Sequence, residues 1–227
     1  MAAASSGAIA RFNEIVAWPA RHAWSRYLLY AVGLVPAAAT FYLGVIDQLG
    51  PEPIKALEHS LGLWSLRFLV ASLCVTPLRD LLGVRLIAHR RMLGLLVFYY
   101  ALFHLLTWLV LDQGFAWNAI VKDIIKRPYI TIGMLAFAIL VPLAVSSNAT
   151  MIRRLGGAAW QRLHRWVYLA AALAAVHFIM VVKAWPPEPL IYAAIVAALL
   201  LYRFVVARRR AGREAVPRPR ARASANA

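Results

Sequence analysis

The sequence predicts an all-α integral membrane protein, a six-helix transmembrane bundle with both termini in the cytoplasm. Two observations predict the bundle, and a third predicts its orientation. The chain of 227 residues is 63% hydrophobic and only 15% charged, which is far from the composition of a water-soluble domain. Six apolar runs of 17 to 20 residues divide it. The basic residues are concentrated in alternate connections between those runs.

Each apolar run is long enough to cross a bilayer as a helix. At a rise of ~1.5 Å per residue, a run of this length spans the hydrocarbon core of roughly 30 Å with little to spare. Lipid cannot satisfy backbone polar groups, so each run has to pair them within itself, which a helix does. The predicted spans are Leu28–Ile46, Leu61–Leu78, Met92–Leu111, Tyr129–Val145, Trp166–Val182 and Leu190–Val206.

The formal net charge of +16 would suit a nucleic-acid-binding protein, but its placement favours a membrane. Nineteen Lys and Arg residues lie before the first span, between spans two and three, between spans four and five, and from Arg203 onward. Only five lie in the other three connections, and Arg67 lies inside span two. The positive-inside rule therefore places both termini in the cytoplasm, with anionic lipid as a secondary partner and no nucleic acid. We expect a cytoplasmic segment at residues 1–27, the transmembrane domain at 28–206 and a disordered basic tail at 207–227.

Two histidines lie inside apolar spans at matched depth. His104 comes seven residues before the outer end of span three, and His177 comes five residues before the outer end of span five. An ionisable residue within a membrane span indicates a functional site, and imidazole is a standard axial ligand of haem iron. Zinc would need further Cys, His or carboxylate ligands, and none lies at this depth. The pair predicts a haem site, while the alternative of packed histidines bonded to backbone carbonyls stays open.

A second site is predicted near the cytoplasmic face. His164 lies thirteen residues before His177, or ~20 Å along a helix, although thirteen residues fit one helix face poorly unless a tilt or local distortion intervenes. On span three, Arg90 lies fourteen residues and His89 fifteen residues before His104. Arginine binds phosphate or propionate groups well, which predicts a phosphate-bearing cofactor or a modified haem site here. Anchoring of Arg90 by the positive-inside rule is the alternative.

Arg67 and one outer connection complete the candidate features. Arg67, in span two at the level of the histidine pair, is either a partner of haem propionates or a snorkelling side chain. The connection DQGFAWNAIVKDIIKRPY predicts a surface helix on the membrane, because Ile120, Ile124 and Ile125 recur at helical spacing. Such a helix would present basic residues to the periplasm, namely Lys122, Lys126 and Arg127.

Four long stretches occur in the order typical of one known family: GLWSLRFLVASLCVTPLRDLLG, HRRMLGLLVFYYALFHLLTWLVLDQG, DIIKRPYITIGMLAFAILVPLAVSSN and RRLGGAAWQRLHRWVYLAAALAAVHF. They closely resemble the MsrQ family, also called YedZ, the haem-binding membrane subunits of bacterial methionine sulfoxide reductase systems. The resemblance extends from about Pro51 to about Phe204. The core of that family is similar to ferric reductases and NADPH oxidases, whose six-helix domain holds two stacked b haems.

The resemblance implies that His104 and His177 bind the outer haem b and that His164 is the inner histidine. The oxidase pattern has a histidine where this chain has Arg90, so a second bis-histidine haem stays in question. Members bind FMN as well as haem b, and we expect the flavin's influence near Arg90 and His164. They take electrons from the quinone pool or a cytoplasmic flavin reductase. They pass them across the inner membrane to a periplasmic molybdopterin methionine sulfoxide reductase, their heterodimer partner.

The residues also leave other functions to be tested. The chain has no phosphate-binding glycine loop and no Ser/His/Asp set, so we expect an electron-transfer subunit rather than the catalytic subunit of an oxidoreductase. A quinol-linked b-type cytochrome or ferric reductase with another acceptor fits the same residues. A haem-free transporter or scaffold fits less well, because transporters more often show broken helices or acidic residues near the midplane.

Overall fold

The computed structural model of the chain describes residues 7, 9–15, 23–182 and 186–214. The regular secondary structure of these residues is helical, with no strand among them. Six helical segments are long and apolar enough to cross a membrane, and they coincide with the six predicted spans. The fold class, a six-helix all-α membrane protein, is therefore confirmed. The placement of both termini in the cytoplasm stays a prediction.

The helices are α1 (Ala23–Val45), α2 (Pro53–Leu82), α3 (Arg90–Leu106), α4 (Trp117–Lys126), α5 (Pro128–Val145), α6 (Ala149–Leu155), α7 (Gly157–His164), α8 (Val167–Val181) and α9 (Pro187–Glu214). A 3₁₀ turn at Ile87–His89 precedes α3, and a π-helical segment at Thr107–Asp112 continues it. The six spans are formed by α1, α2, α3 with its two extensions, α5, α7 with α8, and α9. We call the end of the bundle where α4 lies the α4 end, and the opposite end the arginine-rich end.

Helices α2 and α9 extend furthest beyond the apolar runs that predict them. Helix α2 begins at Pro53 rather than Leu61, because proline is well suited to the first turn of a helix, and it ends at Gly83 in a left-handed conformation with φ 69°. Helix α9 continues to Glu214, eight residues past the predicted end of the domain at Val206. Arginine and alanine are good helix formers, so this part of the predicted tail is helical. Residues 215–227 of the tail lie outside the described residues.

The bundle is built from two closely packed helix pairs, α2 with α3 and α5 with α8. Helix α9 packs on α8 and α2, and α1 packs on α2 and α3 at the edge. The core between the pairs is apolar throughout and consists of Leu66, Leu69, Leu73, Val97, Leu140, Ala170, Ala171, Ala175 and Val196. Three of these are alanines of α8. Small residues let membrane helices approach closely, which explains how α8 reaches the centre of the bundle.

Helix α1 is joined to the rest of the bundle through a tyrosine hydroxyl. Tyr100 of α3 donates to the carbonyl of Gly33 at 2.8 Å and accepts from the amide of Ala37 at 3.0 Å. An unbroken helix would pair these two backbone groups with each other. Tyr100 is fully buried, so its hydroxyl needs partners, and α1 provides both.

The segment before the first span contributes a short helical stretch at residues 9–15. Its Asn13 side chain donates to the carbonyl of Gly83 at 3.0 Å and accepts from the amide of Arg85 at 2.8 Å. This stretch therefore lies at the arginine-rich end, against the connection between α2 and α3. Residues 16–22 lie outside the described residues.

Candidate functional site

The structure brings His104 of α3 and His177 of α8 together near the α4 end. Their ring centroids are 6.2 Å apart and the ring planes are inclined at 79°. The two histidines belong to different helix pairs, so they meet only because α2–α3 and α5–α8 pack side by side. Their similar depth in the two spans is the feature that the sequence predicts.

Each imidazole is bonded through Nδ1 to a backbone carbonyl of its partner helix. His104 Nδ1 lies 2.9 Å from the carbonyl oxygen of Glu58, and His177 Nδ1 lies 2.8 Å from that of Tyr129. A carbonyl oxygen only accepts, so Nδ1 carries the proton and Nε2 keeps its lone pair. Within residues 23–182 and 186–214, neither Nε2 has a hydrogen-bond partner. Both rings are therefore oriented by protein and free to bind at the other nitrogen.

A glycine lies behind each ring, one helical turn after the carbonyl that the ring contacts. A Cβ added at Gly62 would lie 3.2 Å from His104 Nδ1, and one added at Gly133 would lie 2.8 Å from the His177 ring. Glu58 and Gly62 are four residues apart on α2, and so are Tyr129 and Gly133 on α5. Sequence reasoning missed both glycines. The available signal was a glycine near the start of each apolar run, second in Leu61–Leu78 and fifth in Tyr129–Val145.

Arg67 faces α9. Its Nε donates to the hydroxyl of Tyr192 at 3.1 Å, and its guanidinium lies 4.8 Å from the centroid of the Trp64 ring. Part of the Arg67 side chain is thus occupied by protein, and its role toward haem propionates stays a prediction. His59 lies eight residues before Arg67 on α2, with its Nε2 3.9 Å from a carboxylate oxygen of Glu188.

His164 lies at the arginine-rich end, in the last turn of α7. Its ring stacks on Trp160 at 3.8 Å between centroids, and its Nδ1 lies 3.1 Å from the Trp160 carbonyl oxygen. Its Nε2 lies 3.4 Å from the hydroxyl of Ser147, a long contact. The helix is interrupted at Arg165 and Trp166, between α7 and α8. That interruption is the local distortion that the thirteen-residue spacing to His177 requires.

Two arginines come together near His164. Arg90 is within electrostatic reach of His164, Tyr168 and Arg203. Arg203 of α9 donates to the Tyr168 hydroxyl at 2.9 Å and to the Leu73 carbonyl oxygen at 2.9 Å. In the described part of the chain, neither arginine forms an ion pair with a carboxylate. This leaves two positive charges for an anionic group.

Sequence reasoning named His89 as a candidate for this site but did not name Arg203. His89 precedes Arg90 in the 3₁₀ turn, and its Nδ1 is buried without a hydrogen-bond partner among the described residues. Of the two candidates opposite His164, Arg90 is the one whose charge acts on His164. Sequence reasoning counted Arg203 only as a basic residue, although its position inside an apolar run was a signal.

Comparison with known proteins gives two consistent findings. Residues 61–176 match the family described as "Ferric reductase like transmembrane component". Curated proteins from Brucella ovis, Brucella canis and Brucella suis are 60% identical to the chain over 180 residues, covering 79% of this chain and 81% of theirs. Each of them is named "Protein-methionine-sulfoxide reductase heme-binding subunit MsrQ".

The matched family region contains Gly62, His104, Gly133 and His164, and His177 follows it directly. The site residues thus lie within or next to the part of the chain that carries the similarity. On the extent of both matches, the chain belongs to the ferric reductase-like transmembrane proteins and, within them, to the MsrQ family.

Proposed function

We propose that the chain is the haem-binding electron-transfer subunit of a methionine sulfoxide reductase system in a bacterial inner membrane. Its relatives are named as the haem-binding subunit of a protein-methionine-sulfoxide reductase. The observation that carries the proposal is the His104–His177 pair, with both rings held through Nδ1 and both Nε2 atoms free. This is the state in which an imidazole would hold iron, because a metal binds a deprotonated ring nitrogen.

The spacing of the two rings fits one iron ion that both would hold. Two imidazoles that share one metal ion, at metal–nitrogen distances of roughly 2 Å, would have ring centroids up to roughly 6 Å apart. The 6.2 Å separation agrees with that arrangement. Haem iron with two histidine ligands supplies a one-electron redox couple. The protein orients the ligands through the carbonyls of Glu58 and Tyr129.

The distribution of basic residues gives the orientation of the protein in the membrane, and the direction of electron transfer is inferred from that orientation. The connections at the α4 end are poor in Lys and Arg, so we assign this end to the periplasm and both termini to the cytoplasm. The His104–His177 site then lies near the periplasmic face. There it would deliver electrons to a periplasmic molybdopterin-dependent catalytic subunit, the partner in a heterodimer.

The arginine-rich end is where electrons would enter, from the quinone pool or a cytoplasmic flavin reductase. Arg90 and Arg203 lack carboxylate partners within residues 23–182 and 186–214, which suits an anionic cofactor group such as the phosphate of FMN or a haem propionate. His164 Nε2 has only the long contact with Ser147, so it can exchange that contact for a ligand. His164 is thus our candidate for the inner metal ligand.

Haem quantitation on detergent-purified protein tests the proposal. Replacing His104 or His177 with alanine removes one axial bond, so we expect each variant to lose most of the low-spin haem in the reduced-minus-oxidised spectrum. His59→Ala is the matched control, because it removes a histidine of the α4 end that bonds to neither carbonyl. Wild-type protein without a b-haem band would contradict the proposal and favour a haem-free transporter or scaffold.

The identity of the electron acceptor needs a second experiment. A ferric reductase with another acceptor would bind the same haem but would transfer electrons to a ferric chelate faster than to the methionine sulfoxide reductase subunit. We expect the opposite order in a reconstituted system with dithionite-reduced protein. Faster oxidation by the chelate would replace the proposed acceptor while leaving the haem site intact.

A further inference from the structure

Helix α4 presents three different faces. Successive residues of a helix turn by roughly 100°, so residues four apart lie on one side. One side faces the bundle: Ile120 is only 4% exposed and Ile124 is half-buried. The sequence predicts that Ile120, Ile124 and Ile125 share one membrane-facing side, but Ile125 is 77% exposed. It belongs to a second face with Trp117 and Val121, which are 71% and 53% exposed. We call Trp117, Val121 and Ile125 the apolar stripe.

The third face of α4 is polar. Asn118, Lys122 and Lys126 are exposed and follow the stripe residues by one position each, so they lie next to the stripe on the side away from the bundle. Around the helix, the order is therefore bundle, apolar stripe, polar face. A helix that lies at the edge of a membrane protein meets protein, lipid and water in this same order.

The connections of α4 to the neighbouring spans fix its depth relative to the membrane boundary. Only Arg127 separates α4 from α5, which is a membrane span, and Arg127 is tied to Asp123 by an ion pair of 3.1 Å. On the other side, Gly114 and Phe115 have positive φ values of 54° and 57°, which turn the chain sharply after the π-helical segment. Both ends of α4 are thus held where spans begin and end. The helix cannot move far from the membrane boundary.

We propose that α4 is an interfacial helix whose apolar stripe is embedded in the boundary between lipid headgroups and acyl chains. Leu111, near the end of the preceding span, and Phe115, in the turn before α4, are also exposed apolar residues. Tryptophan favours this level of a bilayer, and lysines on the adjoining face can reach lipid phosphates or water. The occupant of the stripe is therefore the lipid surface. This inference rests on the membrane spans alone and does not depend on any cofactor.

Spin-label accessibility in a bilayer tests the inference. Cys74 is the only cysteine of the chain, so it is first replaced by alanine. A nitroxide label is then attached at Val121→Cys, in the apolar stripe, or at Asn118→Cys, the matched position on the polar face. The protein is reconstituted in nanodiscs of phosphatidylethanolamine and phosphatidylglycerol. Collision of each label with oxygen, which concentrates in lipid, is compared with collision with a water-soluble nickel chelate.

We expect the ratio of oxygen to nickel collisions to be several-fold higher at position 121 than at 118. An equal ratio at the two positions would overturn the inference, because the stripe would then face water. So would a label at 121 that is open to nickel until the reductase subunit is added, since the stripe would then dock a protein. An unchanged elution volume and unfolding temperature, relative to the cysteine-free parent, show that the labelled proteins are folded.

Discussion

The imidazole of His177 lies directly against Gly133, where an added Cβ would come within 2.8 Å of the ring. The same ring bonds to the carbonyl oxygen of Tyr129, one turn earlier on the same helix. The glycine therefore opens the path by which the imidazole reaches that carbonyl. His104 repeats the arrangement with Gly62 and Glu58 on the other helix pair.

Gly133→Ala should displace the His177 ring and weaken the bond to Tyr129. Disturbing a group that orients a metal ligand typically lowers metal affinity by roughly 10–100-fold. We expect a loss of haem affinity in that range, measured by haem titration of the apoprotein, and a changed low-spin signal in electron paramagnetic resonance. Gly62→Ala should act in the same direction but less strongly, because its Cβ would be 3.2 Å from the His104 ring.

Gly94→Ala is the control for both glycine variants. Gly94 lies on α3, and a Cβ there would meet nothing within 4 Å. Alanine is favoured over glycine in a helix by about 1 kcal/mol, so this variant should keep its haem and unfold at the same or a higher temperature. Equal haem affinity in Gly133→Ala and Gly94→Ala would contradict the orienting role of Gly133.

Arg90→Ala should impair the inner site alone. Loss of a charge-assisted hydrogen bond to a phosphate should weaken the proposed binding of FMN by roughly 10- to 150-fold, because such a bond contributes about 1.5–3 kcal/mol. Reduction by a cytoplasmic flavin reductase should slow, while the low-spin haem held by His104 and His177 stays present. The adjacent and exposed Arg91 provides the control variant, Arg91→Ala. Equal reduction rates in the two variants would show that Arg90 is only a topological anchor.

Tyr100→Phe removes the hydroxyl that joins α1 to α3. Hydrogen bonds between membrane helices contribute about 0.6 kcal/mol on average and up to about 1.7 kcal/mol. We expect a loss of stability within that range, since Gly33 and Ala37 can then pair with each other. Thermal unfolding in detergent measures it, with Tyr99→Phe as the control on the neighbouring, exposed tyrosine. A larger loss in the Tyr99 variant would contradict the role of the hydroxyl.

Charge reversal on the polar face of α4 should slow transfer to the periplasmic subunit. Lys122→Glu with Lys126→Glu removes positive charge that steers association, so the second-order rate should fall on the order of 10-fold at low salt and converge with wild type at high salt. Haem content should not change. Arg127→Glu is best made separately, because Arg127 is paired with Asp123 and its reversal would also disturb the turn into α5.

The control reverses two exposed arginines at the opposite end, Arg153→Glu with Arg154→Glu. That variant changes the net charge by the same amount without touching the α4 end. Equal slowing in both variants would indicate an effect of net charge. Wild-type rates in the Lys122 and Lys126 variant across a salt series would show that the partner docks elsewhere.

The sequence predicted the parts of the fold that depend on hydropathy and depth along a helix. The six spans follow from apolar runs that lipid requires to be helical, and the matched depth of His104 and His177 follows from counting residues. Hydropathy cannot distinguish a side chain facing protein from one facing lipid, since both are apolar. The isoleucine spacing therefore put Ile120, Ile124 and Ile125 on one membrane-facing side of α4, whereas the structure buries Ile120 and leaves Ile125 exposed.

The rest of the site depends on how helices pack against one another. The partners of the two imidazoles are backbone carbonyls of Glu58 and Tyr129, and every residue has a carbonyl, so residue identity gives no signal. The approach of Arg90 to Arg203 joins residues more than a hundred positions apart on α3 and α9. No periodicity within one span reports such a contact.

Each histidine contacts a carbonyl oxygen and a glycine of the neighbouring helix, and these two contacts help to fix the register between the helices. Apolar contacts between helices in lipid discriminate poorly between neighbouring registers, because lipid tails are as apolar as the side chains. A slip of α2 by about one helical turn, roughly 5.4 Å, would put Glu58 or Leu66 in place of Gly62 behind the His104 ring. The added side chain would clash with the imidazole and push its Nδ1 away from the carbonyl oxygen. Assembly of the two helix pairs and construction of the ligand site are then one event, and a misregistered bundle would be recognisable by its failure to bind haem.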